Sequence, residues 1–223
     1  DESRGIQVEI ARLLAEEANR LVIERHAAGA SQTGEGQLYY TARLRYYQPA
    51  GQVQARDQGI MVARQYGAVD SGGAQSPIAG YVDSAQVGEV VRVRLTIIAP
   101  TDLYYVVVED PFPAGFEGLD PSLKTASVVG QRPELRRLTP SEEEDWYDQQ
   151  GWGWWWFSHS EMRDEKAVLF AQYLPRGTYE YTYLMRATLP GEFSVIPTTA
   201  YQMYFPEVFG RSDGARFTVL SAD

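Results

Sequence analysis

Residues 151–162, GWGWWWFSHSEM, form the densest group of chemically capable side chains in this sequence. The segment holds four of the five tryptophans and, at His159, one of the two histidines. Ser158, Ser160 and Glu161 could supply the other members of a nucleophile–histidine–carboxylate triad. Neighbouring residues of a strand point to opposite faces, however, and the sequence contains no G-x-S-x-G elbow. We therefore predict that His159 is not catalytic and that the chain is not an enzyme.

Metal and cofactor sites lack their usual spacing. The two histidines do not form a zinc-binding pattern, and the absence of cysteine removes thiolate ligands, disulfides and any internal thioester. The acidic stretches SEEED and RSDG do not match a calcium loop, and the glycine-rich stretches lack the lysine and helix of a phosphate loop. We expect no metal and no cofactor.

The tryptophan run itself has the pattern of a strand that is apolar on both sides. Trp152, Trp154 and Trp156 share one face, whereas Trp155 and Phe157 share the other. Burying one face against a core is favoured because each aromatic side chain removes roughly 150–250 Å² from water. The second face could be covered by residues 121–150, by a neighbouring domain or by a soluble ligand.

Charge and composition exclude several classes of partner. The net charge is −10 and no basic cluster occurs, which argues against nucleic-acid binding. No segment has the roughly 18 consecutive apolar residues of a membrane span. The sequence begins without a methionine or a signal peptide, so we expect it to be part of a longer chain.

Alternation of apolar and polar residues predicts strands from residue 37 onward. In EVVRVRLTII, for example, Val91, Val93, Leu95 and Ile97 point to one face. The same pattern occurs in LYYTARLRYY, GIMVARQY, YYVVVEDP, WWWFSHSEM, KAVLFAQYL, TYEYTYLMRAT, GEFSVIPTTAYQM and ARFTVL. Tight turns such as PRG and LPG connect them, and no strand–helix–strand unit is present. The fold class is therefore all-β, an antiparallel immunoglobulin-like β-sandwich with a long loop insertion at 121–150.

The first 36 residues are ambiguous. VEIARLLAEEANRLVIER has the composition of a helix, but its two ends also alternate like strands. A loop rich in glycine follows, which marks a hairpin or a domain boundary.

Several stretches together resemble the C-terminal macroglobulin-like domain of bacterial α2-macroglobulins. They are GQLYYTARLRYY, VEDPFPAGFE, the final FTV and the long segment from MRDEK through LPRGTYEYTYL, MRATLPGEF and AYQMYFPEVFGRS. The resemblance covers most of the chain, from about residue 37 to 220. It implies a macroglobulin-like domain at 37–223, preceded at 1–36 by the last strands of another β-domain or a linker. In that preceding domain, residues 14–19 would form a turn, and one helical turn at 12–18 is possible.

The resemblance also implies a function. Bacterial α2-macroglobulins are multidomain protease traps of the cell envelope, periplasm or extracellular space, in which a cut bait segment triggers coupling of the protease to a thioester in a separate helical domain. The terminal sandwich lies against that thioester domain and helps to exclude water. With no cysteine of its own, this chain would be a non-catalytic scaffold, its partners being the thioester and neighbouring domains of its parent chain and the trapped proteases.

The segment AYQMYFPEVFGRS is the candidate contact with the thioester domain. Aromatic and methionine side chains are typical interface anchors, so we select as possible interface residues Tyr201, Met203, Tyr204, Phe205, Trp155 and Phe157. The simpler interpretation is that this segment forms the last core strand and its corner. A different function, a carbohydrate-binding or adhesion sandwich that uses its aromatic residues, remains the main alternative.

Overall fold

The computed structural model describes residues 6–14, 17–22, 39, 41, 46–69, 80–119, 135–138 and 159–221. The chain divides into two compact units, residues 1–48 and residues 49–223. The predicted boundary at 36/37 falls outside the described residues and stays a prediction, as does the assignment of 1–36 to a preceding domain.

The described part of the first unit contains one short 3₁₀ turn, Ile10–Arg12. The side-chain amide of Asn19 accepts a hydrogen bond from the Leu14 backbone N–H (2.8 Å) and donates one to its carbonyl (2.9 Å). Leu14, Leu21 and Val22 of the helical stripe are exposed, and no regular helix forms at the described residues of this unit. The closure of Leu14 on Asn19 agrees with the predicted turn.

The second unit is built from strands, after a 3₁₀ turn at Ala50–Gln52. The strands are β1 (Arg56–Gln58), β2 (Met61–Ala68), β3 (Ser84–Gln86), β4 (Val90–Ala99), β5 (Leu103–Pro111), β6 (Phe116–Leu119), β7 (Leu135–Arg137), β8 (His159–Met162), β9 (Lys166–Leu174), β10 (Gly177–Ala187), β11 (Gly191–Val195), β12 (Thr199–Gln202), β13 (Phe209–Arg211) and β14 (Ala215–Leu220).

Three sheets enclose one apolar core. The six-stranded sheet has the order β1-β13-β12-β5-β9-β8, and the five-stranded sheet has β2-β4-β10-β6 with β7 also paired to β10. The third sheet is β11-β14-β3, in which β14 and β3 run parallel, whereas the other pairs are antiparallel. The predicted antiparallel sandwich is confirmed, with this short parallel pair as an addition.

The core follows the predicted alternation. Val91, Val93, Leu95 and Ile97 of β4 are buried, and they pack with the inward residues of β5, β9, β10 and β14. Arg92 is also buried, on the opposite face of β4, where alternation predicts a polar residue.

The structure differs from the sequence prediction in its short elements. β1, β3 and β13 are three residues long and carry too few apolar side chains for an alternating signal. Inside the predicted insertion, β7 pairs with β10 through Leu135–Arg137, and Leu135 joins the core. Of the predicted strand at 38–47, the described residues Tyr39, Thr41, Tyr46 and Tyr47 are not in a strand.

Candidate interaction surface

A buried ion pair involves one of the sequence motifs that carry the family resemblance. Asp110, from VEDPFPAGFE, accepts a hydrogen bond from Nη1 of Arg64 on β2 at 2.6 Å. The two side chains are only 1% and 3% exposed, respectively. The pair connects β5 of the six-stranded sheet with β2 of the five-stranded sheet, so it crosses the core.

Four further groups bond this pair, among them the Pro111 carbonyl, which accepts from Arg64 Nη1 at 3.3 Å. Tyr183 Oη donates to Asp110 Oδ2 at 2.6 Å, and Thr198 Oγ1 donates to Oδ1 at 2.8 Å. The second guanidinium nitrogen of Arg64 donates to the Ile196 carbonyl at 2.9 Å. We call Arg64, Asp110, Tyr183 and Thr198 the Asp110 network. A buried charge pair is tolerable only when its polar atoms are well bonded, and here Asp110 accepts three hydrogen bonds and Arg64 donates three.

The electrostatics of the network favour its present protonation state. Burial raises the pKa of Tyr183 well above 10.0, and the negative charge of Asp110 raises it further. Burial opposes the charge on Arg64, but attraction to Asp110 and the neighbouring tyrosine oxygens outweighs it, and the pKa of Arg64 is raised. The tyrosine therefore remains a donor and the arginine a cation at neutral pH.

The motif glycines are explained by close packing. A Cβ on Gly210, from the GRS motif, would overlap the backbone carbonyl of Ile60, and one on Gly115, from PAGF, would overlap the ring of Phe193. Thr188 also donates its N–H to the Gly115 carbonyl at 2.8 Å. These motif residues therefore hold the sandwich together rather than contact a partner.

The predicted interface residues divide into two groups. Met203, Tyr204 and Phe205 are 49%, 66% and 63% exposed, whereas Tyr201 is half-buried on β12 beside Val107. Trp155 and Phe157 lie outside the described residues, so their place at an interface stays a prediction.

The loop that carries Met203–Phe205 is held by its backbone. Gln202 N–H donates to the Val208 carbonyl at 3.0 Å, and Val208 N–H donates to the Phe205 carbonyl at 2.9 Å. The loop thus closes on itself at the end of β12, which fixes three large apolar side chains in solvent.

Sequence reasoning missed the residues next to this loop. Tyr105 contacts Tyr204 edge to face, with ring centroids 5.1 Å apart and planes at 88°. Tyr104 packs on Tyr173 at the same centroid distance, 5.1 Å. We define the aromatic patch as Tyr104, Tyr105, Tyr173, Met203, Tyr204 and Phe205. Tyr104 and Tyr105 are half exposed. Two consecutive tyrosines at the start of a predicted strand were the sequence signal for this part of the patch.

Tyr105 has an unusual backbone. Its φ is +52°, the only positive φ of a non-glycine residue in the described ranges. The β5–β9 ladder passes from Tyr104↔Tyr173 to Val106↔Ala171 without including it. A left-handed conformation at a residue with a Cβ costs on the order of 1–2 kcal/mol, so surrounding contacts must hold it.

An acidic group borders the patch. Asp102 accepts hydrogen bonds from the Arg176 backbone N–H (2.8 Å) and the Tyr173 hydroxyl (2.9 Å). The Arg176 bond, followed by the Tyr173 bond, lowers the pKa of this carboxyl, so Asp102 is an anion at neutral pH. The patch therefore has a charged edge beside its apolar centre.

His159 pairs with an exposed carboxylate on its own strand. Its Nε2 lies 3.1 Å from Glu161 Oε1, and Glu161 also pairs with Arg163 at 2.6 Å. Within the described ranges, no hydroxyl is hydrogen-bonded to His159. The second histidine, His26, lies outside those ranges.

Other candidate sites are weaker. A cleft of about 380 Å³ lies between β2 and residues 212–216. Tyr81 and Arg64 are among its lining residues, and Arg64 is already bonded to Asp110. Among the residues that the structure describes, no cluster of three or more His, Cys, Asp or Glu could hold a metal. Nor does any helix in that part of the chain have the length and apolarity to cross a membrane.

Comparison with known proteins identifies related sequences. The family model "Bacterial Alpha-2-macroglobulin MG10 domain" matches residues 59–207, more than half of the chain. The alpha-2-macroglobulin homolog of Nostoc sp. is 26% identical over 198 residues, which cover 87% of this chain and 9% of that protein. Circularly permutated Ras protein 2 of Dictyostelium discoideum is 26% identical over 188 residues, covering 83% of this chain and 4% of that protein.

A solved structure has the same fold. Trypsin-activated alpha-2-macroglobulin from Escherichia coli superposes with a TM-score of 0.56 at 20% identity, over 75% of this chain and 11% of that chain. At this identity the likeness concerns the fold alone. The chain spans less than a tenth of the length of the Nostoc relative.

Proposed function

The chain belongs to the bacterial α2-macroglobulin MG10 domain family, and from this premise we propose that it is a non-catalytic scaffold and interaction domain of a longer protease-trapping protein. In this proposal the aromatic patch packs against the thioester domain of the parent chain and shields the thioester from water. The trapped proteases are partners of the whole parent protein. The proposed location is extracytoplasmic, in the envelope, periplasm or medium.

The exposure of Met203, Tyr204 and Phe205 is the observation that carries the proposal. Three consecutive large apolar side chains in water are unfavourable, whereas tyrosine, phenylalanine and methionine are enriched at the centres of protein interfaces. The loop needs no large ordering step on binding because its backbone is already closed by hydrogen bonds.

The shielding role follows from the chemistry of a thioester. Its hydrolysis requires water at the carbonyl carbon, so a dry apolar cover lengthens its lifetime. Tyr204 combines a broad ring with a hydroxyl that can remain solvated at the edge, which suits a cover that borders solvent.

The test is Tyr204→Ala in the full-length parent protein, with Tyr81→Ala as the matched control. Tyr81 is a more exposed tyrosine, 71% accessible, that lies outside the patch. We expect Tyr204→Ala to shorten the thioester half-life, measured as thiol release without protease, by roughly tenfold or more, as for an interface anchor. Tyr81→Ala should leave the half-life unchanged.

Two results would overturn the shielding role. One is an unchanged thiol-release rate and an unchanged native fold in the Tyr204→Ala parent. The other is a parent sequence in which no helical region contains C-x-E-Q, the motif whose Cys and Gln side chains form the thioester in this family.

The carbohydrate-binding alternative is separated by glycan titration. Tyr104 and Tyr173 lie beside the Asp102 carboxylate, and carbohydrates also bind to flat tyrosine rings next to a carboxylate. A saturable change in intrinsic fluorescence with glycans, abolished by Tyr204→Ala, would favour that function. The proposed scaffold function predicts no saturation.

A further inference from the structure

The start of β5 departs from regular strand geometry in a way that serves the patch. In a regular strand, the carbonyls of successive residues point toward opposite neighbouring strands. Here the Tyr104 carbonyl accepts from Gln202 Nε2 at 3.2 Å, and the Tyr105 carbonyl accepts from the Met203 N–H at 2.9 Å. Both carbonyls therefore bond residues at the end of β12.

The φ of +52° at Tyr105 accounts for this arrangement. Rotation about its N–Cα bond turns the preceding peptide plane, so that the Tyr104 carbonyl leaves the β9 side and reaches Gln202. The interruption of the β5–β9 ladder at Tyr105 is the expected consequence. The base of the Met203–Phe205 loop thereby gains a second attachment to β5.

The side chain of Tyr105 adds a third contact to the loop. Its ring meets Tyr204 edge to face at 5.1 Å, which limits the positions available to the Tyr204 ring. Tyr204 would otherwise have a wide choice of rotamers because it is two-thirds exposed.

We propose that Tyr105 is a positioning residue, whose left-handed backbone and ring together set the direction in which Met203 and Tyr204 face the partner domain. The inference rests on the proposed function, since it assumes that another domain of the parent covers the aromatic patch. In this proposal, the unfavourable left-handed backbone of Tyr105 serves to orient the interface residues and is not required for the fold itself.

The variants Tyr105→Gly and Tyr105→Phe test this in the full-length parent. Glycine adopts positive φ without strain but has no ring, whereas phenylalanine keeps the ring and loses only the hydroxyl. We expect Tyr105→Gly to raise thiol release about 2- to 12-fold, the range for one aromatic pair, without lowering the thermal midpoint. Tyr105→Phe, which keeps the ring contact with Tyr204, should raise thiol release less than Tyr105→Gly does.

Hydrogen exchange gives a readout that does not depend on the thioester. Peptides containing residues 203–205 should exchange faster in Tyr105→Gly than in Tyr105→Phe. Loss of thermal stability together with faster thiol release would indicate a merely structural role and would overturn the proposal. So would a Tyr105→Gly protein that matches the unchanged one in both readouts.

The shielding role of the patch and the positioning role of Tyr105 can be refuted independently. If Tyr204→Ala does not alter thiol release, shielding fails, and exchange at 203–205 alone decides whether Tyr105 positions the loop. If Tyr204→Ala accelerates release but Tyr105→Gly does not, shielding stands and the role of Tyr105 is refuted.

Discussion

The two ends of strand β5 differ in both burial and polarity. Near its end, Asp110 is a charge inside the core, whereas at its start Tyr104 and Tyr105 are apolar rings in solvent. The two places are five residues apart, about 17 Å along a strand. The charge is satisfied within the domain by Arg64, Tyr183 and Thr198, but the rings are only partly covered by their own neighbours.

This contrast separates residues that specify the fold from residues that are available to a partner. Asp110 and Tyr204 both lie in motifs that carry the family resemblance, so a motif match alone does not distinguish the two sets. Burial and bonding do: the polar groups of the Asp110 network are bonded within the domain, whereas much of the aromatic patch is exposed.

The largest expected effect is from Asp110→Ala. It leaves Arg64 as a buried unpaired charge and removes the acceptor of Tyr183, so the free energy of unfolding should fall by about 3–5 kcal/mol. Denaturant unfolding of the purified protein measures this. Glu109→Gln is the control on the same strand, because the pair of Glu109 with Lys166 is part-exposed and should contribute little to the free energy of unfolding. A loss below 1 kcal/mol in Asp110→Ala would show that the network does not secure the fold.

The next effect is from Gly210→Ala. The new methyl group would overlap the Ile60 carbonyl, so β13 must shift away from β2, at a cost of about 1–3 kcal/mol. Gly51→Ala is the matched control, because nothing lies within 4 Å of its added Cβ. Equal stabilities of the two variants, measured by thermal unfolding, would contradict the close-packing interpretation.

A smaller effect is expected from alkaline pH. The folded-state pKa of Tyr183 is raised above 10.0 by burial and by Asp110, so the folded state binds this proton more tightly than the unfolded state. The associated stability is therefore complete below pH 10 and is lost as pH rises through the folded-state pKa. Tyr179, whose pKa is raised to about 12 by burial, contributes in the same direction between pH 10 and 12. Unfolding curves from pH 8 to 11 should show this decline, and Tyr183→Phe should flatten it; a pH-independent midpoint would refute the assignment.

The smallest effect on stability should come from the patch. Tyr204→Ala removes an exposed side chain, so the free energy of unfolding of the domain should change by about 0.5 kcal/mol or less. The same variant has the strongest expected effect on the parent protein's thioester. A loss of 2 kcal/mol in this variant would place Tyr204 with the Asp110 network rather than with the partner-facing residues.

The sequence predicted the long strands because they alternate over many residues. β4 and β10 present an apolar residue at nearly every second position, and burial largely follows that period. β1, β3 and β13 were missed since three residues cannot show a period. β7 was missed because Leu135 is the single buried residue of LRR and its partner strand lies more than forty residues away.

The candidate site was predicted in part. Met203, Tyr204 and Phe205 were identified by their motif, but the motif did not indicate which of its members are exposed. The Asp110 network had a sequence signal, because alternation places Arg64 on the face of Val62 and Asp110 on the face of Val108. The left-handed backbone of Tyr105 had none, because tyrosine carries no preference for positive φ and this conformation depends on contacts nearly a hundred residues away.

The position of β14 has a mechanical consequence. This last strand lies between β11 and β3, and its end is bonded by the Val87 N–H to the Leu220 carbonyl at 2.9 Å. A tension applied along the chain at Leu220 would act parallel to β14, so the backbone bonds on both of its sides would share the load and rupture together. A strand at a sheet edge pulled sideways would instead open one bond at a time. Separating β14 from its neighbours by such a pull would therefore require both of its strand pairs to be sheared at once.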